Sequence, residues 1–292
     1  MSFINTIRID GEMTKMRAIS LGRTYLFVPG DRVDRFDKAW NSGADQVIID
    51  LEDAVAPAQK DAARKSAANW MTPERPVWVR INACNTAWYE GDVEIVAHPG
   101  LRGFVIPKSE HLPRALISAC LEHKKTLIPL VETAVGFKNL PGLAKTATVE
   151  RLAFGSIDFQ VDVGIEGDDD ALAYFRSQLV LTSRLANIQS PLDGVTTDLT
   201  DPEVLRQETL RAKRFGFGGK RCIHPRQVMP VNRTFLPNDG EVGWARAVIH
   251  AVNQGGAAVV TVDGKMIDKP VLAKAERIMN AVIKAEAKSD AG

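Results

Sequence analysis

Leu127-Ile128-Pro129-Leu130-Val131-Glu132-Thr133-Ala134 and, further on, Leu152-Ala153-Phe154-Gly155-Ser156-Ile157-Asp158-Phe159 decide the fold. Each opens with a short apolar run that lacks polar alternation, the pattern of a strand buried on both faces. Each then meets a carboxylate at or just past its end. A carboxylate there is costly unless a metal, a cation or hydrogen bonds compensate it. Val47-Ile48-Ile49-Asp50, continued by Leu51-Glu52-Asp53-Ala54-Val55, has the same form. In a strand–helix alternation such ends gather around one mouth, where a parallel α/β barrel does its chemistry.

Working outward, strands are predicted at Tyr25–Val28, Val47–Asp50, Val77–Ile81, Phe104–Pro107, Leu127–Val131, Leu152–Gly155, Gly194–Thr196 and Arg221–His224. Amphipathic helices are predicted at Val33–Ser42, Lys60–Trp70, Leu112–His123, Gly136–Leu143, Ala171–Ile188 and Pro202–Arg214, the last capped by Asp201 with Pro202 in its first turn. Eight strands with intervening helices predict an α/β fold, a (β/α)8 TIM barrel. After Pro225 the pattern changes to a helix at Glu241–Asn253, a Gly255-Gly256 break, a β-like run at Ala257–Thr261, an Asp263-Gly264 turn and a final helix at Pro270–Ala287. The expected division is an N-terminal arm over 1–22, a barrel over 23–235, and a C-terminal helical extension over 236–292. The extension serves as a lid or packs on a neighbouring subunit.

The 292 residues carry 45% hydrophobic and 25% charged side chains, an ordinary globular profile. A net charge of +1 gives no electrostatic reason for nucleic-acid or membrane binding. No apolar stretch reaches the roughly 18–20 residues of a membrane span, and Met1 to Ser20 lack a signal-peptide core. Cys84, Cys120 and Cys222 are scattered without C-x-x-C spacing. That spacing argues against a disulfide framework or zinc site and points to a cytoplasmic location.

Glu132 and Asp158 are the leading candidates for chemistry. Such a pair suits a hard cation such as Mg²⁺, which takes one or two carboxylates plus substrate and water oxygens. Capping the following helices or pairing with arginine are alternatives. Among Asp50, Glu52 and Asp53, one can orient metal-bound water while another pairs with Arg80. Arg80, in Val79-Arg80-Ile81-Asn82, offers a fork of donors to a carboxylate or a developing oxyanion, or is a plain ion-pair partner. Phe27-Val28-Pro29-Gly30-Asp31-Arg32 closes the first strand. Gly30 there would let a phosphate approach the backbone, with Arg32 and Lys38 to neutralise it. His224 sits in Gly219-Lys220-Arg221-Cys222-Ile223-His224-Pro225-Arg226-Gln227 and reads as structural or as a ligand contact. Neither a G-x-G-x-x-G loop nor a Walker loop is present, and no serine or cysteine has an identifiable catalytic partner.

In chain order, LFVPGDR (Leu26–Arg32), DLEDAV (Asp50–Val55), VRIN (Val79–Asn82), VETAVG (Val131–Gly136), FGSIDF (Phe154–Phe159), GKRCIHPRQV (Gly219–Val228) and DGKMIDKP (Asp263–Pro270) resemble the citrate lyase β-subunit-like family. That family includes the malyl-CoA and citramalyl-CoA lyases. The resemblance implies a barrel with a C-terminal extension, assembled as a homotrimer or dimer of trimers. It implies Mg²⁺ held by Glu132 and Asp158, with Arg80 gripping a thioester oxygen as it becomes an enolate. It implies coenzyme A contacts from Phe27, Arg32, Lys38 and the Ile223-His224-Pro225 strand end. Asp268, otherwise an ordinary helix N-cap, matches an acid/base that enters the adjacent subunit's site; Glu52 is the third catalytic candidate. The activity implied is reversible Claisen-type cleavage of a 3-hydroxyacyl-CoA into an acyl-CoA and a 2-oxo acid such as glyoxylate or pyruvate. The alternatives are a citrate lyase β subunit acting on a citryl group on an acyl-carrier partner, a non-catalytic coenzyme A binder, and a metal-dependent aldolase using free pyruvate enolate.

Overall fold

The computed structural model describes residues 22–255, 260–262 and 264–289. The predicted arm therefore lies outside the described residues except for Gly22, as do Ala257–Val259 of the β-like run. Eight parallel strands close into a barrel in sequence order: β1 (Thr24–Pro29), β2 (Gln46–Asp50), β3 (Val77–Arg80), β4 (Leu101–Ile106), β5 (Thr126–Val131), β6 (Arg151–Phe154), β7 (Gln189–Asp193) and β8 (Gly219–Cys222). Helices surround it, among them Lys60–Trp70, which follows the predicted bounds, and Pro202–Phe215, whose Asp201 cap accepts a hydrogen bond from the Glu203 backbone.

Side chains of a strand alternate between faces, and here that alternation sorts two cores. Leu26, Val28, Val47, Ile49, Val77 and Val79 face the helices. Tyr25, Ile48, Trp78, Val105, Ile128 and Leu130 fill the barrel interior. The same parity turns Phe27, Asp50, Arg80, Glu132 and Arg221 inward at or above the upper layer. The lower end is closed by Arg151, which is fully buried. Its guanidinium donates to Ser190 O (2.5 and 2.9 Å), Gly22 O (3.0 Å) and the Tyr25 hydroxyl (3.3 Å). Trp78, also fully buried, sits against Tyr25 with ring centroids 6.3 Å apart. Trp78→Ala is expected to cost about 3–5 kcal/mol, read from urea unfolding, because the closed barrel cannot collapse into the hole. A cost below 1 kcal/mol would contradict this account of the core.

The seventh strand is a correction: it is Gln189–Asp193, and the predicted Gly194–Thr196 segment follows it. Gln189-Ser190-Pro191 does not read as a buried strand, because ion pairs replace apolar burial here. Asp193 is buried against Arg176 (3.3 Å), and Lys220 of β8 lies 3.8 Å from it and 3.3 Å from Glu208. Three further helices, Tyr89–Val93, Ser156–Val163 and Val228–Phe235, have no counterpart among the predictions.

Beyond the barrel, helices Asp239–Gly255 and Lys269–Ser289 pack together around the fully buried Ala245, Val248 and Ala275. Between them β9 (Val260–Val262) and β10 (Lys265–Ile267) form an antiparallel hairpin. Gly264 takes a left-handed φ of 72° in the turn, where a side chain would be strained. Lys213 ties this extension to the barrel helix Pro202–Phe215, reaching Glu241 (3.1 Å) and Leu236 O (2.9 Å).

Candidate active site

Asp50, Arg80 and Glu132 end or follow their strands at the C-terminal mouth, around a cavity of about 360 Å³. Phe27, Asp158 and Ile223 of the predicted set also line it, as does Arg221. Arg80 is gripped by Asp50 through two parallel bonds, Nε to Oδ1 (2.7 Å) and Nη2 to Oδ2 (2.6 Å). Asp50 also accepts from the backbone N–H groups of Glu52 (2.9 Å) and Ala54 (3.3 Å), so the strand end and the loop after it hold its carboxylate. The loop is fixed from below by Lys60, whose ammonium donates to Leu51 O and Glu52 O (2.9 Å each), and by Asn82, which donates to Leu51 O (3.0 Å). Phe27 lies under Arg80, 5.0 Å from guanidinium carbon to ring centre. Burial acts to lower the Arg80 pKa, but Asp50, Glu52 and Asp53 together outweigh it and the arginine stays firmly charged.

Glu52 is buried beside this pair. Its Oε2 lies 2.9 Å from Arg80 Nη1, yet accepts no hydrogen bond of proper geometry. Desolvation pushes its carboxyl up to about 8, against the pull of Arg80. Glu132 is also buried, and its Oε1 accepts from the Lys108 backbone N–H (2.6 Å), which Lys108 presents from a left-handed φ of 45°. Its other oxygen rests against Gly155, where a Cβ would come within 2.6 Å of it. Burial raises the Glu132 carboxyl to about 7, with the Lys108 N–H and Arg221 opposing.

Asp158 is a refinement of the strand-end expectation: it sits in the first turn of helix Ser156–Val163, just past β6. A negative charge is favoured there by the helix dipole. No described residue donates a hydrogen bond to Asp158 or to the second oxygen of Glu132. Two carboxylates with open oxygens fit a hard divalent cation that completes its shell with water and substrate. Among the described residues no group of three or more His, Cys, Asp or Glu side chains is placed to cage a metal.

Other predicted residues are not gathered here. Arg32 is half-buried and forked onto Asp34 (2.8 and 2.9 Å), and Lys38 is exposed on helix Phe36–Trp40. His224 caps the short turn Pro225–Gln227, its Nδ1 accepting from the Arg226 N–H (3.1 Å). Asp268 is exposed beside the hairpin and caps the final helix, accepting from Val271 N–H (3.0 Å). Arg221 went unnoticed in sequence because it hides in an otherwise short, basic strand. Parity was the available signal, since Cys222 packs outward and Arg221 must therefore point in.

A closed parallel barrel with carboxylates and arginines converging at the C-terminal ends of its strands defines a TIM-barrel protein with its candidate site at that mouth. The chain belongs to the HpcH/HpaI aldolase/citrate lyase family, whose model matches residues 23–225. It is 34% identical to a citrate lyase subunit beta-like protein of Deinococcus radiodurans over 280 residues, covering 89% of this chain and 97% of that one. It is 31% identical to a (3S)-malyl-CoA thioesterase of Cereibacter sphaeroides over 271 residues, covering 88% and 95%. In structure it is similar to the protein CitE of Mycobacterium tuberculosis in complex with magnesium, acetoacetate and coenzyme A. The TM-score is 0.79 at 33% identity, over 90% of this chain and 98% of that one. Among the described residues no helix is long and apolar enough to cross a membrane.

Proposed function

We propose that the protein is a Mg²⁺-dependent carbon–carbon lyase that cleaves a 3-hydroxyacyl-CoA of the malyl-CoA or citramalyl-CoA class. The products would be an acyl-CoA and a 2-oxo acid. The observation that carries this reading is the convergence of two open carboxylates, Glu132 and Asp158, with the Asp50-anchored Arg80 on one cavity. Bound between Glu132 and Asp158, Mg²⁺ would supply Lewis-acid stabilisation of the hydroxyl and carboxylate oxygens that become the 2-oxo acid. Arg80 holds donors beside the position where the thioester oxygen becomes an enolate, and Asp50 keeps that fork from turning away. Glu52, packed against Arg80, tunes its position and charge. Asp268 is assigned the proton transfer at the enolate carbon, delivered from the extension of a neighbouring subunit in a homotrimer or dimer of trimers. Phe27 and Ile223 line the cavity side of the coenzyme A path, with Arg32, Lys38, His224 and Pro225 on its outer course.

The relative named as a thioesterase makes hydrolysis the second reading, because it acts on the same class of thioester. The test incubates the purified protein and Mg²⁺ with malyl-, methylmalyl-, citramalyl- and citryl-CoA. 2-Oxo acid is followed as its phenylhydrazone and free coenzyme A as thiol. The proposal requires 2-oxo acid without free thiol, lost on omitting Mg²⁺ and reduced about 10²–10⁴-fold in Asp268→Asn. Free thiol without 2-oxo acid would establish hydrolysis. Absence of both across the panel would remove the CoA-lyase reading and favour an acyl-carrier substrate.

A further inference from the structure

Two arginines reach the cavity, and they differ in what answers their charge. Arg80 faces three carboxylates: Asp50 at 2.6 Å, Glu52 at 2.9 Å and Asp53 at 3.4 Å. Arg221, projecting inward from β8, is only 6% exposed, yet among the described residues no carboxylate forms an ion pair with it. Its Nη2 donates to the Phe154 backbone carbonyl (2.6 Å), its Nε has no partner, and its guanidinium carbon lies 5.9 Å from the Phe27 ring centre. Glu132, Asp193 and Asp158 act on it only from beyond ion-pair range. A desolvated cation without a counter-ion costs stability. Hydrophobic side chains fill the layer directly beneath, so packing alone would accept an apolar residue here.

We infer that Arg221 is a substrate-binding residue whose guanidinium, on the cavity floor beside Glu132 and Asp158, takes a carboxylate of the 2-oxo acid fragment. This rests on the site identified above and deepens the proposed function by giving the acid end of the substrate a defined seat. The planar fork suits bidentate carboxylate recognition, and most of its five donors have no partner among the described residues. The carboxylate has two sources. It is either the one next to the 2-oxo carbon, present in every 2-oxo acid, or a second, distal one, present only in a dicarboxylic acid such as oxaloacetate. As a negative group it also screens Arg221 from the cation held by the two carboxylates.

The experiment is calorimetric binding of pyruvate, oxaloacetate and methyl pyruvate to the Mg²⁺-loaded protein, wild type against Arg221→Gln and Arg221→Lys. Glutamine keeps a donor for the Phe154 carbonyl and removes the charge. Arg221→Gln is expected to bind the recognised acid about 30-fold or more weakly, as removal of a buried charge partner does, while Arg221→Lys loses less. Methyl pyruvate, without a carboxylate, should bind wild type and Arg221→Gln alike. Loss for both acids assigns the carboxylate next to the 2-oxo carbon; loss for oxaloacetate alone assigns the distal one. The melting temperature of Arg221→Gln should hold or rise, whereas a purely structural arginine would lower it. Unchanged acid binding, equal loss for methyl pyruvate, or no binding of either acid to wild type would overturn the inference. Acid binding that depends on Arg221, in a protein that cleaves no thioester, would sustain it while removing the lyase reading.

Discussion

Arg80→Gln is expected to lower turnover of the cleaved thioester by about 10²–10³, the usual cost of losing one oxyanion donor. It is also expected to destabilise the fold by about 3–5 kcal/mol, because Asp50 is 2% exposed and would be left as an uncompensated buried charge. The two effects come from different ends of the same bidentate bond and can be separated. In the double variant Asp50→Asn/Arg80→Gln the stranded charge is gone, so chemical denaturation should show most of the stability restored. Turnover should remain at the low level of the single variant, because the donor fork is still missing. Recovery of activity with stability in the double variant would reduce Arg80 to a structural ion-pair partner and sink its assigned role.

Glu132→Gln is the second large effect. The amide is nearly isosteric, and an amide oxygen can still accept from the Lys108 N–H, so the loop beside it keeps its anchor. What disappears is the charge of one of the two carboxylates proposed to hold the cation. Changes merely behind a metal ligand cost about 10–100-fold in metal affinity or activity, so loss of a ligand's charge should cost at least about 100-fold. The half-saturating Mg²⁺ concentration, taken from both calorimetry and Mg²⁺-dependent turnover, should rise accordingly. The fold itself should not suffer, because burial already disfavours the Glu132 charge. A Mg²⁺ titration matching wild type would move the cation away from Glu132 altogether.

Much of this arrangement was legible in the sequence because strands buried on both faces announce themselves. Val47–Asp50 and Leu127–Val131 show uninterrupted apolar residues, and a carboxylate at the end of such a run stands out. β7 was not legible for the converse reason. Its Asp193 is buried by charge, through Arg176 and Lys220, and an ion network spaced across three elements leaves no local periodicity. Helix Ser156–Val163 begins at once after Gly155, so Asp158 read as part of a strand end. Arg221 required the parity of its neighbours, which a four-residue strand barely displays. Asp268 marks a different boundary: one chain shows its capping bond, while its assigned chemistry concerns a second copy.

The side chains that fill the barrel interior, with Arg151 pinned beneath them to three backbone and hydroxyl oxygens, make the mouth cavity blind-ended. Nothing admitted at the top can drain through the base, so both halves of a cleaved molecule share one doorway. Under the chemistry proposed here, the small acid rests innermost and the nucleotide-bearing half blocks the threshold above it. Departure is then a queue, bulky fragment first and acid second. In the joining direction the acid must already be seated before its larger partner arrives.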